Sequence, residues 1–460
     1  MSLSKPTNLM KNLILFIFFT LTLSACSLID IDPDNVVSSD KAFDDVIYYQ
    51  QALNKVYYDL TVPTNNISAT DYATDDFSNV IEGYAQMNYF IYLWDYQARP
   101  QPTLWNQQYT LIAATNVIID NYDVVPANND KELQQKNEIY AQAEALRAWF
   151  FFNLTEIYAP HYDGTNGSEL AIPLKLKLDR EYLPQSTLKE VFDQIDNDLT
   201  DAETKLKNFS SSSVDAPYIF GLDAVRALKA RIALYKGDYD QARDYSSYFI
   251  NTDLLDSADY WMLWGDQYGT KNQEVIFMTH NLSDTDQGAL LDYHNQYETN
   301  NVSLDRSFYN AFESSDVRKK NQYIDPTSRR PQKYLYLADD NNPNDTRMLN
   351  YKYFRTAEQY LIYAEASLKS NPEKAKDVVN KLREARGASA LTSLQLSDVV
   401  AERRKELFQE GLRFYDLKRI AKELGIVVSR PNGTQLVPGD AKYTFDIPID
   451  ETNSNPYINE

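Results

Sequence analysis

Apolar residues return every three or four positions along most of the chain, the repeat that turns one face of a helix toward a core. Phe43, Ile47, Leu53, Val56, Tyr57 and Leu60 predict a helix entered near Ser39, with Asp40 available as its cap. Trp105, Tyr109, Ile112, Asn116 and Ile119 predict another over 103–123, and residues 133–158 are expected to pair with it. There Ala141, Ala145 and Ala148, with Phe152 and Tyr158, offer a face that a neighbouring backbone can approach closely. Thr187 and Glu190 form a capping box, ahead of the stripe Leu188, Val191, Phe192, Ile195, Leu199, Ala202 and Leu206. Small residues recur again at Ala227, Ala230, Ala233, Gly237 and Ala242, within A-L-K-A-R-I-A-L-Y-K-G-D-Y-D-Q-A, and a comparable run begins at Tyr360.

Two stretches break the rhythm. Residues 61–102 carry Pro63, Asn65, Asn66 and Gly83 and then the aromatics Tyr92, Trp94 and Tyr96. Residues 253–350 hold Tyr260, Trp261 and Trp264, a strand-like 274–278, and the polar run from 314. Long polar and aromatic insertions on a helical scaffold are where binding is expected. Beyond them, residues 402–419 read as one helix: Leu407, Gly411, Phe414 and Tyr415 form its apolar side. Arg403, Glu406, Glu410, Arg413, Asp416 and Arg419 make a charged stripe beside it. Its expected task is to hold the fold rather than touch a ligand. The expectation for the whole is a mainly α, helical-repeat scaffold with long loop insertions and a few short strands, forming a single unit over 39–460.

Composition narrows the chemistry. The 460 residues are 43% hydrophobic and include 35 Tyr, so a large core forms and many rings remain near the surface. A formal net charge of −21 disfavours phosphate backbones, and nucleic acid is not an expected partner. Lys5 and Lys11 precede an apolar run over 13–23 that is too short to span a bilayer, and Leu23-Ser24-Ala25-Cys26 follows. Residues 1–25 therefore read as a targeting segment and 26–38 as a tether. Cys26 is the sole cysteine, which removes disulfides and cysteine metal sites from consideration.

His161, His280 and His294 match no metal-ligand spacing, and no phosphate loop or nucleophile elbow occurs. No catalytic residue, cofactor or metal is expected, although carboxylate-pair hydrolysis stays open because its defining separation exists only in three dimensions. Binding chemistry is better represented. A sugar ring presents an apolar face to Trp or Tyr and a rim of hydroxyls to Asp, Asn or Arg. Trp94 and Tyr96, near Asp71, Asp75 and Arg99, supply both kinds of group, and Tyr293, Asn295 and Tyr297 form a second set.

The pattern E-R-x-x-E-L-x-x-E-G-x-R-x-x-D-L-x-R at 402–419 resembles the C-terminal signature of the SusD/RagB family, surface lipoproteins that capture nutrients for an outer-membrane importer. W-N-x-x-Y-x-x-I-x-x-x-N from Trp105, F-x-I-P at 445–448 with Asn455-Pro456, and the lipobox-like Leu-Ser-Ala-Cys agree with it. The alanine-rich hairpins, about 103–160, 187–250 and 355–422, resemble tetratricopeptide units. This resemblance implies lipidation at Cys26, an outer-membrane location facing outward, and a SusC-type TonB-dependent transporter as partner. It also implies an oligosaccharide ligand, held by residues of the insertions at about 61–102 and 253–350. A peptide ligand, a protein-only tetratricopeptide adaptor and a glycoside hydrolase are the alternatives.

Overall fold

Asp45 opens the first helix, α1 (Val46–Asp59), its carboxylate accepting from the Ile47 amide at 2.7 Å. The expected cap, Asp40, lies outside the residues described in this computed structural model, which are 43–60, 69–80, 86–97, 102–179, 181–207, 217–264, 274–279, 302–336, 347–348 and 350–458. The targeting segment, the tether with Cys26, His280, His294, Arg99, Tyr293, Asn295 and Tyr297 also fall outside them. In α1 the buried face is Val46, Tyr49, Leu53 and Val56; Ile47, expected on it, is 62% exposed. Tyr49 replaces it, and its hydroxyl donates to the Ile118 carbonyl.

The first insertion is less irregular than its composition predicts, since it contains β1 (Phe77–Val80) and α2 (Gln86–Tyr92). Two long helices follow, α3 (Pro102–Asp120) and α4 (Asp130–Tyr158), then α5 (Leu188–Leu206). Helix α4 packs along both α3 and α5, which explains its burial on nearly every side beyond Ala141. The Thr187–Glu190 capping box forms, and every residue of the expected α5 stripe is buried. The next hairpin is α6 (Leu222–Tyr235) and α7 (Tyr239–Ser246). Gly237 between them has φ +73° with open space where a Cβ would stand, so the turn's backbone requires glycine and its packing does not.

The second insertion supplies α8 (Trp261–Trp264), β2 (Val275–Met278), β3 (Val302–Leu304), α9 (Arg306–Asn310), β4 (Leu335–Tyr336) and β5 (Arg347–Met348). β6 (Lys352–Arg355) runs into α10 (Thr356–Ser367), followed by α11 (Pro372–Ala385), α12 (Leu396–Leu407) and α13 (Arg413–Leu424). The chain closes with β7 (Val428–Ser429), β8 (Gln435–Leu436) and α14 (Ile449–Ser454). The described strands pair antiparallel as β1–β3, β2–β6, β4–β5 and β7–β8. Helix α10 packs against α7, α11 and α12 and so joins the second and third hairpins.

The 402–419 stretch is two helices rather than one. Gln409 and Gly411 both have positive φ, 62° and 70°, and the chain turns between α12 and α13. The break redirects the charged stripe. Within the stretch Arg403 and Arg419 share Asp416, but Glu406 and Glu410 reach across to other elements. Glu406 accepts from Arg318, Arg355 and Arg386, and Glu410 pairs with Arg355 and Lys333. Glu402 binds Arg318 and Arg383, and Glu274 binds Arg386. These side chains are all at most 7% exposed. Such a network adds little net stability over an apolar core, but removing one member strands the others, and its connections span β2, β6, α11 and α12.

Candidate functional site

Pairing of Phe77–Val80 with Val302–Leu304 brings together two insertions more than 200 residues apart in sequence. The Asp305 amide extends the seam by donating to the Asp76 carbonyl at 2.7 Å, while the Asp305 carboxylate caps α9 at Ser307 and Phe308. Beside this seam opens a cleft of about 400 Å³. Ser78 and Asp305 line it from the two insertions, Arg404 from α12, and Val427, Ser429 and Arg430 from the β7 hairpin.

The floor of the cleft is electrostatic. Arg413 donates to both oxygens of Asp75, at 2.8 and 2.9 Å. Arg404 reaches Asp75 at 3.3 Å and Asp76 at 2.7 Å, with its guanidinium over the Phe308 ring at 4.2 Å. Burial alone would push the Asp75 carboxyl up, but the two guanidiniums outweigh it and hold the group below the usual carboxylate range. Arg430 is 4% exposed and donates to the carbonyls of Tyr92, Tyr72 and Phe77, between the rings of Tyr92 and Trp94. Burial lowers its pKa to about 10.

Four of the eight expected ligand positions lie within the described residues, and all four side chains are engaged inside the protein. Asp71 accepts from the Gly411 amide at 3.1 Å and is 1% exposed. Asp75 is the partner of Arg413 and Arg404 just described. Trp94, 3% exposed, donates through its indole to the Ala73 carbonyl at 2.8 Å. Its φ of 56° is unusual for a bulky residue. Tyr96 donates to the Lys442 carbonyl and stacks on Phe445 with centroids 4.1 Å apart. In this structure the rings of Trp94 and Tyr96 are packed inside the protein, where they knit the insertion to the C-terminal segment. His161 is half-buried, and desolvation lowers its pKa to about 4.

The exposed cleft groups, Ser307, Val427, Ser429 and Pro431, were not singled out by periodicity. Pro431-Asn432-Gly433 between short runs is the turn signal that could have found the hairpin. Of the five tryptophans only Trp261 is exposed, at 43%. Among the described residues there is no cluster of three metal-binding side chains, and no helix long and apolar enough to cross a membrane.

Residues 30–234 match a family model of SusD-like proteins described as "Starch-binding associating with outer membrane". SusD-like protein P2 of Formosa agariphila is 24% identical, over 95% of this chain and 96% of that protein. The SusD/RagB resemblance of the 402–419 signature is met by a SusD-like family model in the N-terminal part and by a SusD-like relative along nearly the whole chain. The SusD fold extends over nearly the whole of it. A SusD superfamily protein from Bacteroides thetaiotaomicron superposes with a TM-score of 0.75 at 23% identity, covering 90% of this chain and 99% of that one. Surface glycan-binding protein A of the same organism, solved in complex with laminarihexaose, gives 0.68 at 17% identity, covering 89% and 98%. The arginine- and glutamate-rich 402–419 stretch lines the cleft through Arg404, while Arg413 holds the lining Asp75 from behind.

Proposed function

We propose that the protein binds an oligosaccharide at the cleft beside β1 and β3, leaves it unaltered, and delivers it to a SusC-type TonB-dependent transporter in the outer membrane. Lipidation at Cys26 would hold it there, facing outward, with residues 39–460 acting as one unit. The observation that carries the reading is the β1–β3 pairing: it places both insertions around one cleft whose hydroxyls, carboxylates and guanidiniums suit a sugar's hydroxyl rim. Similarity to a family described as starch-binding, and the laminarihexaose complex of a structural relative, favour a glycan over a peptide. Arg99, Tyr293, Asn295 and Tyr297 belong to the same two insertions and remain proposed ligand contacts, with Trp261 as a further ring.

Calorimetry of residues 27–460 against oligosaccharides and peptide digests, with product analysis of the same samples, tests this. One glycan class is expected to bind saturably and be recovered intact. Ser429→Trp, which fills the cleft from an exposed position, is expected to weaken binding at least tenfold, about 1.4 kcal/mol, with the unfolding midpoint unchanged. Binding confined to peptides would change the cargo; cleaved glycan would refute the non-catalytic reading; undiminished affinity in Ser429→Trp would move the site elsewhere.

A further inference from the structure

A second cavity, of about 70 Å³, lies inside the scaffold beneath the turn between α12 and α13. Gln108 of α3, Arg231 and Tyr235 of α6, Tyr353 of β6 and Glu410 of the turn line it. Two buried polar atoms of its lining find no hydrogen-bond partner among the described residues: Gln108 Oε1 and the Tyr235 hydroxyl. Their residues are 5% and 2% exposed, so bulk solvent does not satisfy them. Buried donors and acceptors without partners are rare in folded proteins, because each forfeits its hydration and gains nothing.

The charges decide what fits. Arg231 is paired with Glu358 at 2.6 Å, and Glu410 with Arg355 at 2.6 Å. No formal charge facing the space lacks its counterion, so neither an anion nor a cation is called for. A neutral molecule that both donates and accepts is. At roughly 15–30 Å³ per water the space takes about two to five waters, and it is too small for a sugar ring. We propose that this cavity is a structural water site, in which a fixed cluster links Gln108 of α3 to Tyr235 of α6 and lets both side chains be buried without stranded polar atoms. The site stands apart from the surface cleft and does not depend on what the cleft binds.

A crystal structure of residues 27–460 that resolves ordered solvent, together with oxygen-17 relaxation dispersion to count long-lived waters, tests it. Density within hydrogen-bond distance of Gln108 Oε1 and of the Tyr235 hydroxyl is expected. Tyr235→Phe, which keeps the ring and deletes one polar atom, is expected to lose at least one such water in both measurements. Three results would overturn the proposal: a cavity of this size without density that takes up xenon under pressure, side chains that pair with each other and close the space, or density for a molecule other than water. If Tyr235→Phe does not fold, the unsubstituted chain decides between these outcomes alone.

Discussion

Glu406 receives three guanidiniums, those of Arg318, Arg355 and Arg386, at 2.9–3.1 Å. Burial favours its neutral form, but the three cations outweigh burial and hold its pKa well below the ordinary 4.5. A depressed carboxyl stabilises the fold above its unfolded pKa, and that contribution is lost as pH falls through the folded value. Glu406→Gln strands buried cations and is expected to destabilise the protein by about 3–5 kcal/mol, read from urea unfolding at pH 7. Glu144 carries the opposite sign. It is 5% exposed, near Tyr140 and Asp201, with Lys205 no closer than 3.9 Å, and burial raises its pKa to about 8. Its contribution is full below about pH 4.5 and fades as pH rises through about 8. The urea midpoint of the natural chain is therefore expected to fall, relative to that of Glu144→Gln, between these values; parallel profiles would refute the assignment. Neither behaviour was legible in the sequence, where both residues are acids on helices and only their surroundings differ.

At the scale of elements, turn chemistry and periodicity did most of the specifying. Gly237→Ala is expected to cost about 1 kcal/mol and Gly237→Asn less, because a Cβ there meets open space and only the left-handed backbone is penalised. Thermal unfolding of the two variants checks the order. The α5 helix was readable to its cap and every buried position, since one amphipathic face meets one neighbour. The signature stretch was misread as continuous because its spacing is helical on both sides of Gly411. What breaks it is tertiary: Thr70 donates to the Gly411 carbonyl and Asp71 receives its amide, while Glu410 is drawn toward Arg355 and Lys333. In α1, likewise, Ile47 satisfies the apolar pattern and still faces solvent.

For the molecule as a whole, the packing of α10 on α6 and α7 and the ion network running from Glu274 to Glu410 connect the hairpins to the second insertion. A single unfolding transition is therefore expected, with tryptophan fluorescence and far-ultraviolet circular dichroism coincident in urea; separated transitions would mark independent units. The sequence by itself determined the mainly helical architecture, the Thr187–Glu190 capping box and the SusD-like resemblance, because these rest on local periodicity and contiguous motifs. It could not assign roles to the residues within the insertions. Trp94 and Tyr96 have the composition of a binding surface, yet the indole is spent on Ala73 and Arg430 and the phenol on Lys442 and Phe445. The cleft forms from Ser78, Asp305, Arg404 and Ser429, four segments that only the tertiary fold brings together. Whether an aromatic ring is a platform or a strut depends on which distant carbonyl or guanidinium meets it, and that is decided by packing between elements rather than by spacing along the chain.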